Sequence, residues 1–343
     1  LMSKTLMVPA MPPFSIIQMA FAQRANQVLK AAVELNVFQP MAQGPASAQA
    51  VAQACQAPVL GIQRLLNVLV SMQLLTHQNH AYSLTDESRT YLLKDSLLCA
   101  HDFILGMPAE QAAWDSLSTA IRQGQSFNQL NQPQQAEAFF PRLAQNIFPL
   151  SYTTAQLLAQ VLNVSSWPAD SQVLDVGAGA GSWSIPLAEA NLGVRVEALD
   201  LQAVLQVTQQ FAQRHQVHQQ YTYTNSTWQN FAWPTHTYTA ITLGHVLHCE
   251  GEEASQQLLN HCFKALKPGG TVIIGEFIAD EDSPGPLPVM LFDLHMYLNT
   301  QNGVVFSASQ LIQLLSNAGF LNAQRLSLPY FQQQSPVVLA IKP

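Results

Sequence analysis

Two hydrophobic periods divide the chain. From Phe14 to about residue 165 apolar positions recur at helical spacing, as in Ile17, Phe21, Val28, Ala32 and Leu35, with turns marked by Gly44-Pro45, Pro58, Gly124 and Pro133. From about Trp167 short apolar runs at 173–176, 194–201, 238–247 and 271–278 alternate with helical segments such as 182–190 and 252–266. Strands joined by crossover helices predict a parallel α/β sheet. The end differs: a helix over 308–318 stops at Gly319, and runs at 323–328 and 336–341 joined by a short turn predict an antiparallel pair.

Within the helical half, Ser47 caps a short helix over 48–55, Pro58 opens a turn, and 60–75 reads as an apolar second helix through Leu65, Leu66, Leu69, Val70 and Leu74. The segment 76–85, with Tyr82 and Leu84 alternating beyond Gln78-Asn79, predicts the small hairpin of a winged helix. A helix that reads DNA needs cations for phosphates, and between Ala48 and Leu75 there is only Arg64. A dimer or lid role fits this half better. The Gln-rich stretch 123–135 reads as a solvated loop.

Composition narrows the field further. Of 343 residues 48% are hydrophobic and 10% charged, with a net charge of −7, which argues against disorder and against a nucleic-acid partner. Lys4, an apolar stretch and Ala20-Phe21-Ala22 imitate a signal peptide, but Pro9, Pro12, Pro13 and Gln18 break it and the helical pattern continues past the supposed cut. No apolar run reaches the roughly 18 residues that span a bilayer. Cys55, Cys99, Cys249 and Cys262 form no CxxC pair, which suits structural thiols without disulfides. The expectation is a cytoplasmic protein.

Candidate chemistry begins at Leu174-Asp175-Val176-Gly177-Ala178-Gly179-Ala180-Gly181-Ser182, a glycine-rich turn between a strand and a helix, where backbone can approach a ligand closely. Asp200, at the end of the next strand, can accept hydrogen bonds from both hydroxyls of a ribose. The dinucleotide pattern GxGxxG fails, because Ser182 stands where the third glycine would fall. Asp175 before the loop suits a ligand's ammonium group better than a pyrophosphate. S-adenosylmethionine (SAM) therefore fits better than NAD.

With these residues in view, the chain from Phe14 to Pro343 resembles the SAM-dependent small-molecule O-methyltransferases of the plant caffeate and bacterial polyketide type. The carrying features are VLDVGAGAG with Asp200, HVLH ending at His248, LKPGG at 266–270, the strand containing Glu276, and DLHMYL from Asp293. The resemblance implies a Rossmann-like class I sheet with an antiparallel last strand, preceded by a winged-helix dimerisation domain. The division would be 1–110 for dimerisation, 111–166 for connecting helices and 167–343 for SAM binding. It also implies a homodimer acting on a small molecule.

The resemblance assigns His248 as general base and Glu276 as its orienting carboxylate. Cofactor contacts fall to Asp175, Gly177, Gly179, Gly181, Asp200, Leu201, Ser226, Trp228 and Gly244, and substrate contacts to Phe140, Phe148, Tyr152, Met290, Asp293 and Tyr297. Three positions depart from the family pattern. Cys249 replaces the acidic residue after the histidine, Gly303-Val304-Val305-Phe306 lacks the usual glutamate, and Ser226 replaces an adenine-binding aspartate, leaving Trp228 to stack on the base. His295 leaves a second reading open, in which it converges with His248 on a divalent metal and the acceptor is a carbon beside a keto group. His245 reads as structural. A nitrogen or carbon acceptor and a SAM-sensing winged-helix regulator remain as alternatives.

Overall fold

The computed structural model describes residues 14–130, 133–326, 328 and 337–343. The signal-like stretch before Phe14 and the turn joining the last two strands lie outside the described residues. Contacts divide the chain into two compact units, one ending at Leu105 and the other beginning at Gly106.

The first unit contains α1 (Phe14–Glu34), α2 (Ala48–Ala54), α3 (Val59–Ser71), β1 (Leu75–Gln78), β2 (Ala81–Leu84), α4 (Asp86–Tyr91) and α5 (His101–Leu105). Ser47 caps α2 by accepting a hydrogen bond from Ala50 N at 3.2 Å. The hairpin turns at Asn79-His80, one residue later than expected, because both residues take the positive φ that a tight two-residue turn requires. Val37, Phe38, Met41, Leu66, Leu69 and Leu75 fill the core. Leu60 and Val68 of α3 are exposed, so the surface a DNA-reading helix would use is partly apolar.

The second unit opens with α6 (Pro108–Asp115), α7 (Leu117–Gln123) and α8 (Pro133–Val161), followed by β3 (Gln172–Val176), α9 (Ile185–Ala190), β4 (Arg195–Asp200), α10 (Gln202–Arg214) and β5 (Tyr221–Asn225). It continues through β6 (Tyr238–Gly244), α11 (Leu247–Glu250), α12 (Glu252–Ala265), β7 (Leu266–Gly275), β8 (Ile278–Ala279) and α13 (Leu287–Asn299). It closes with β9 (Phe306–Ser307), α14 (Ala308–Asn317), β10 (Leu321–Leu326) and β11 (Val337–Ile341). The main sheet has the order β10-β11-β7-β6-β3-β4-β5. Strands β3 to β7 run parallel, and β11 inserts antiparallel between β7 and β10.

Chain order reverses at β3, which has β4 on one side and β6 on the other, and the crevice at such a point is where α/β sheets bind ligands. One face of the sheet, through Leu174, Val176, Ile241, Leu243, Val272 and Ile274, joins Leu258, Leu259 and Cys262 of α12 and Leu311, Leu314 and Leu315 of α14 in one apolar core. On the other face the indole of Trp183 lies across the paired ends of β6 and β7. A Cβ on Gly244 would stand 2.0 Å from that ring and one on Gly275 2.1 Å.

The Gln-rich connection is not merely a solvated loop. Phe127 N and Asn128 N both donate to Leu298 O, and Leu130 N donates to Asn299 O at 2.9 Å. Those carbonyls end α13 and lack partners inside their own helix, so the loop acts as its cap.

Because real Cβ atoms do not approach within 2.1 Å of a ring, Gly275→Ala should lower stability by about 1–3 kcal/mol or more in urea titrations. Combining it with Trp183→Leu should cost less than the two separate losses added together. Strict additivity would show that the ring is not what excludes a side chain there.

Candidate active site

Strand β3 ends at Val176 and the chain turns through Gly177 and Gly179 at φ +63° and +55°, a left-handed conformation costly for any other residue. A Cβ on Gly177 would also meet Val246 at 2.9 Å. The turn presents its backbone to Asp200 at the end of β4. Gly179 N donates to Asp200 Oδ2 at 2.9 Å and Leu201 N donates to Oδ1 at 2.7 Å.

Burial raises the Asp200 carboxyl to about 6, against the pull of those two N–H groups. Each oxygen still has a free lone pair. A half-buried carboxylate short of donors, beside a bare glycine backbone, suits the ribose hydroxyls of a bound nucleoside, and SAM fits the residues present. Ser226 completes this corner, its N–H donating to Asp200 O at 3.2 Å.

Other expected cofactor residues have different surroundings. Asp175 is buried, accepts from Thr242 Oγ1 at 2.7 Å and from Ser184 Oγ, and is pushed up to about 7 by its burial. It braces the loop from behind and does not face a ligand. Gly244 is small because Trp183 occupies its side-chain space. Trp228 is buried in the apolar core with Tyr238 and Leu258, so its ring is no open platform for adenine.

At the adjacent strand ends the chain builds its acid–base pair. His245, at φ +60°, turns the backbone sharply out of β6, and the short α11 that follows carries His248 back over the end of β7. His248 Nδ1 meets Glu276 Oε2 at 2.6 Å, and His248 N donates to Oε1 at 3.3 Å. Both side chains are buried. The carboxylate can only accept, so Nδ1 carries the proton and Nε2 is left as the ring's other site.

Burial alone works against charge on both groups. For His248 the Cys249 sulfur and the Glu276 carboxylate outweigh burial and hold the imidazole well above its usual range, and for Glu276 the imidazole holds the carboxyl below its own. His245, buried beside them, is pushed down to about 4 by burial despite Glu276. Val304 N donates to His248 O at 2.8 Å, so the segment lacking the family's glutamate does lie against the base.

The rest of the wall comes from α13 and α6. Phe292 and His248 meet edge to face at a centroid distance of 4.8 Å, and Phe292 stacks with His295 at 5.9 Å. His295 in turn lies over Trp114 and near Glu110. Sequence spacing gave no signal for Phe292, Trp114, Glu110 or Trp183, since only the packing of α6 and the loop beyond Gly181 brings them into place.

The expected substrate residues fall into two groups, neither in a contact with His248. Met290, Asp293 and Tyr297 occupy the opposite face of α13, where they line an open groove of about 460 Å³ with Ile121 and Leu294. Asp293 accepts from Val305 N and Tyr297 donates to Ala120 O, both at 3.3 Å. Phe148 and Tyr152 are buried against Phe211 and His215 of the α10 region, and the Tyr152 hydroxyl donates to Glu189 at 2.6 Å. Phe140, half-buried, packs against Phe139.

Phe292 touches the rings of both His248 and His295. Among the described residues the group able to surround a metal is His245, His248 and Glu276, with ligand atoms within 4.8 Å of one another. There both Glu276 oxygens already accept from His248, as in a hydrogen-bonded acid–base pair.

A glycine turn and a terminal aspartate at the reversal point of a seven-stranded sheet define a class I methyltransferase. Residues 17–94 match the O-methyltransferase dimerisation domain and residues 122–321 the O-methyltransferase domain. The chain belongs to this O-methyltransferase family and is a SAM-dependent methyltransferase. It is 26% identical over 322 residues to acetylserotonin O-methyltransferase of Macaca mulatta, covering 87% of this chain and 90% of that one.

It is likewise 26% identical over 325 residues to 3-hydroxy-5-methyl-1-naphthoate 3-O-methyltransferase of Streptomyces sahachiroi, covering 90% and 89%. Among solved structures, a candidate O-methyltransferase of Nostoc punctiforme PCC 73102 superposes with a TM-score of 0.81 at 29% identity, covering 97% of this chain and 99% of that one. Human N-acetylserotonin methyltransferase in complex with SAM superposes with a TM-score of 0.78 at 25% identity, covering 98% and 99%.

Asp200→Ala should weaken SAM binding by about 10- to 100-fold in calorimetry, the span for hydrogen bonds to a charged group. The unmutated protein should bind SAM more tightly than NAD. Tight NAD binding with no response to SAM would overturn the assignment of this corner.

Proposed function

We propose that the enzyme methylates a hydroxyl of a small, largely apolar or aromatic metabolite, with His248 as general base and Glu276 orienting it. The carrying observation is the buried 2.6 Å contact from His248 Nδ1 to Glu276 Oε2. Bound SAM supplies an electrophilic methyl group on a sulfonium sulfur. A hydroxyl becomes an adequate nucleophile as it loses its proton, and His248 Nε2 is the ring atom left to take it. The positive charge then formed on the imidazole is stabilised by Glu276. Phe292, Phe277 and Trp114 offer flat apolar surface around this centre, and the named acceptors of the relatives above are aromatic hydroxyl compounds.

The second part of the proposal is a homodimer formed through the first unit. Ile16, Met19 and Phe21 of α1 are between 49% and 68% exposed, large apolar side chains on more than one face of the helix that water does not favour. The dimerisation-domain match covers the same helix. Light scattering should give twice 37.6 kDa, and a monomer at micromolar concentration would defeat this part. Among the described residues no helix is long and apolar enough to cross a membrane.

His248→Ala should keep its SAM affinity while losing about 100- to 10,000-fold in turnover on a hydroxyl acceptor. Nearly full activity would mean that the acceptor arrives deprotonated. Loss of activity on chelation, restored by a divalent metal, would instead favour metal-assisted transfer to carbon.

The pH profile gives a separate test. The base accepts a proton only when neutral, so kcat/KM at saturating SAM should rise with pH through the His248 pKa, which Glu276 holds up. Glu276→Gln removes that negative charge, so the inflection should move to lower pH while the plateau falls. His245, Cys249 and His295 also neighbour the base, so the comparison uses only the Glu276 substitution. An inflection that stays in place would break the link between the two residues.

A further inference from the structure

Beyond Phe292 stands a second imidazole and carboxylate that take no part in the proton transfer assigned to His248. His295 Nε2 lies 3.6 Å from Glu110 Oε1, and the two side chains remain 18% and 25% exposed. Trp114 stacks with the imidazole at a centroid distance of 6.3 Å. The His295 ring thus packs against both Trp114 and Phe292 while its side chain stays partly accessible.

The hydrogen-bond network around Asn299 fixes the proton on that ring. Asn128 Nδ2 donates to Asn299 Oδ1 at 2.8 Å, which turns the Asn299 amide nitrogen toward His295. Asn299 Nδ2 then donates to His295 O at 2.9 Å and faces His295 Nδ1 at 3.3 Å. An amide NH₂ only donates, so Nδ1 is the acceptor and the ring proton sits on Nε2. Burial and the charge on His248 push His295 down to about 4, so the ring is neutral near pH 7. Burial raises Glu110.

A separation of 3.6 Å exceeds the usual 2.7–2.9 Å of a charge-assisted N–H···O bond, so the pair leaves its polar edge open. A hydroxyl seated off the line between the two atoms can accept from Nε2–H and donate to Oε1 at once. A carbonyl or an ammonium group satisfies only one of them. In its neutral form His248 presents an acceptor, whereas His295 presents a donor, and Phe292 touches both rings.

We propose that Glu110 and His295 form a specificity dyad that grips a second hydroxyl of the acceptor, so that the substrates are planar dihydroxy compounds methylated at the hydroxyl beside His248. The proposal rests on the O-methylation reading above. It makes the dyad a selector of substrate with no part in the bond-making step. Asn299 is a positioning residue that sets the His295 tautomer.

The test uses the protein loaded with S-adenosylhomocysteine and the isomeric dihydroxynaphthalenes, each against the naphthol lacking one hydroxyl. Calorimetry should show at least one diol binding about 10- to 100-fold more tightly than its naphthol. Glu110→Gln and His295→Phe should each bring that ratio toward one, with S-adenosylhomocysteine affinity reporting that the fold is intact. Nitrogen-15 NMR of the unmutated protein should show His295 as the Nε2–H tautomer near pH 7, and Asn299→Leu should disturb it.

Absence of any diol preference, a preference that survives both dyad substitutions, or an Nδ1–H tautomer overturns the proposal. Diol preference in binding without methyl transfer from SAM to any hydroxyl supports the dyad and overturns the O-methylation reading instead.

Discussion

The register of β6 against β7 is the constraint on which the reaction centre depends. Gly244 pairs with Gly275, and the Trp183 ring fills the space where both side chains would be. One residue beyond this pair, Glu276 follows Ile274 and Val272 onto the core-facing side of β7. A slip of one residue would place it on the opposite face. A carboxylate buried there without a partner would be strongly destabilising. The chain avoids that by turning out of β6 at His245 and bringing back a backbone N–H and an imidazole, both on residue 248, to its two oxygens. The same contact that satisfies Glu276 engages Nδ1 and leaves Nε2 as the ring's other site. Packing and chemistry therefore impose the same geometry.

The cofactor corner is built on the other side of β3 by a different use of a carboxylate. Asp175, one residue before the end of β3, and Asp200, the last residue of β4, both titrate above the ordinary range because they are buried, yet their partners differ. Asp175 takes hydroxyl donors from Thr242 and Ser184 and is sealed in, whereas Asp200 takes backbone N–H groups and keeps one edge half exposed. The first holds the loop in shape and the second is left to recognise. Since the raised pKa of each comes mainly from burial, a perturbed carboxylate alone does not mark the ligand site here. What separates the two is exposure, since each accepts one hydrogen bond per oxygen and only Asp200 keeps an edge toward solvent.

The parts of the molecule legible in the sequence were those encoded in consecutive residues. Apolar runs and crossover helices foretold the parallel strands, Gly319 and the closing runs foretold the antiparallel end, and the glycine turn with Asp200 foretold the ligand. Strand β5 escaped because Tyr221-Thr222-Tyr223-Thr224 contains no aliphatic residue and its apolar surface is all aromatic. The pocket wall escaped for a stronger reason. Helix α13 carries Met290, Asp293 and Tyr297 on one face and Phe292, His295 and Asn299 on the other, and nothing in its own sequence says which face turns inward. The second face is selected by α6, about 180 residues earlier in the chain on the residue numbering, and by the loop from Gly124 to Leu130 that caps the helix end.

That loop also changes how the family's missing acid is understood. Loss of the glutamate around 303–306 and of the acidic neighbour at Cys249 leaves Glu276 as the principal carboxylate in contact with His248, and Val304 now offers the base only a backbone N–H to its carbonyl. Negative charge reappears farther out, as Glu110 beside His295, behind the aromatic ring of Phe292. A carboxylate farther from the base gives the imidazolium less electrostatic support, because Coulomb attraction falls with distance. A single tightly bonded glutamate then holds the base, and the geometry around the second imidazole is governed by hydrogen-bond direction, through Asn128 and Asn299, more than by charge.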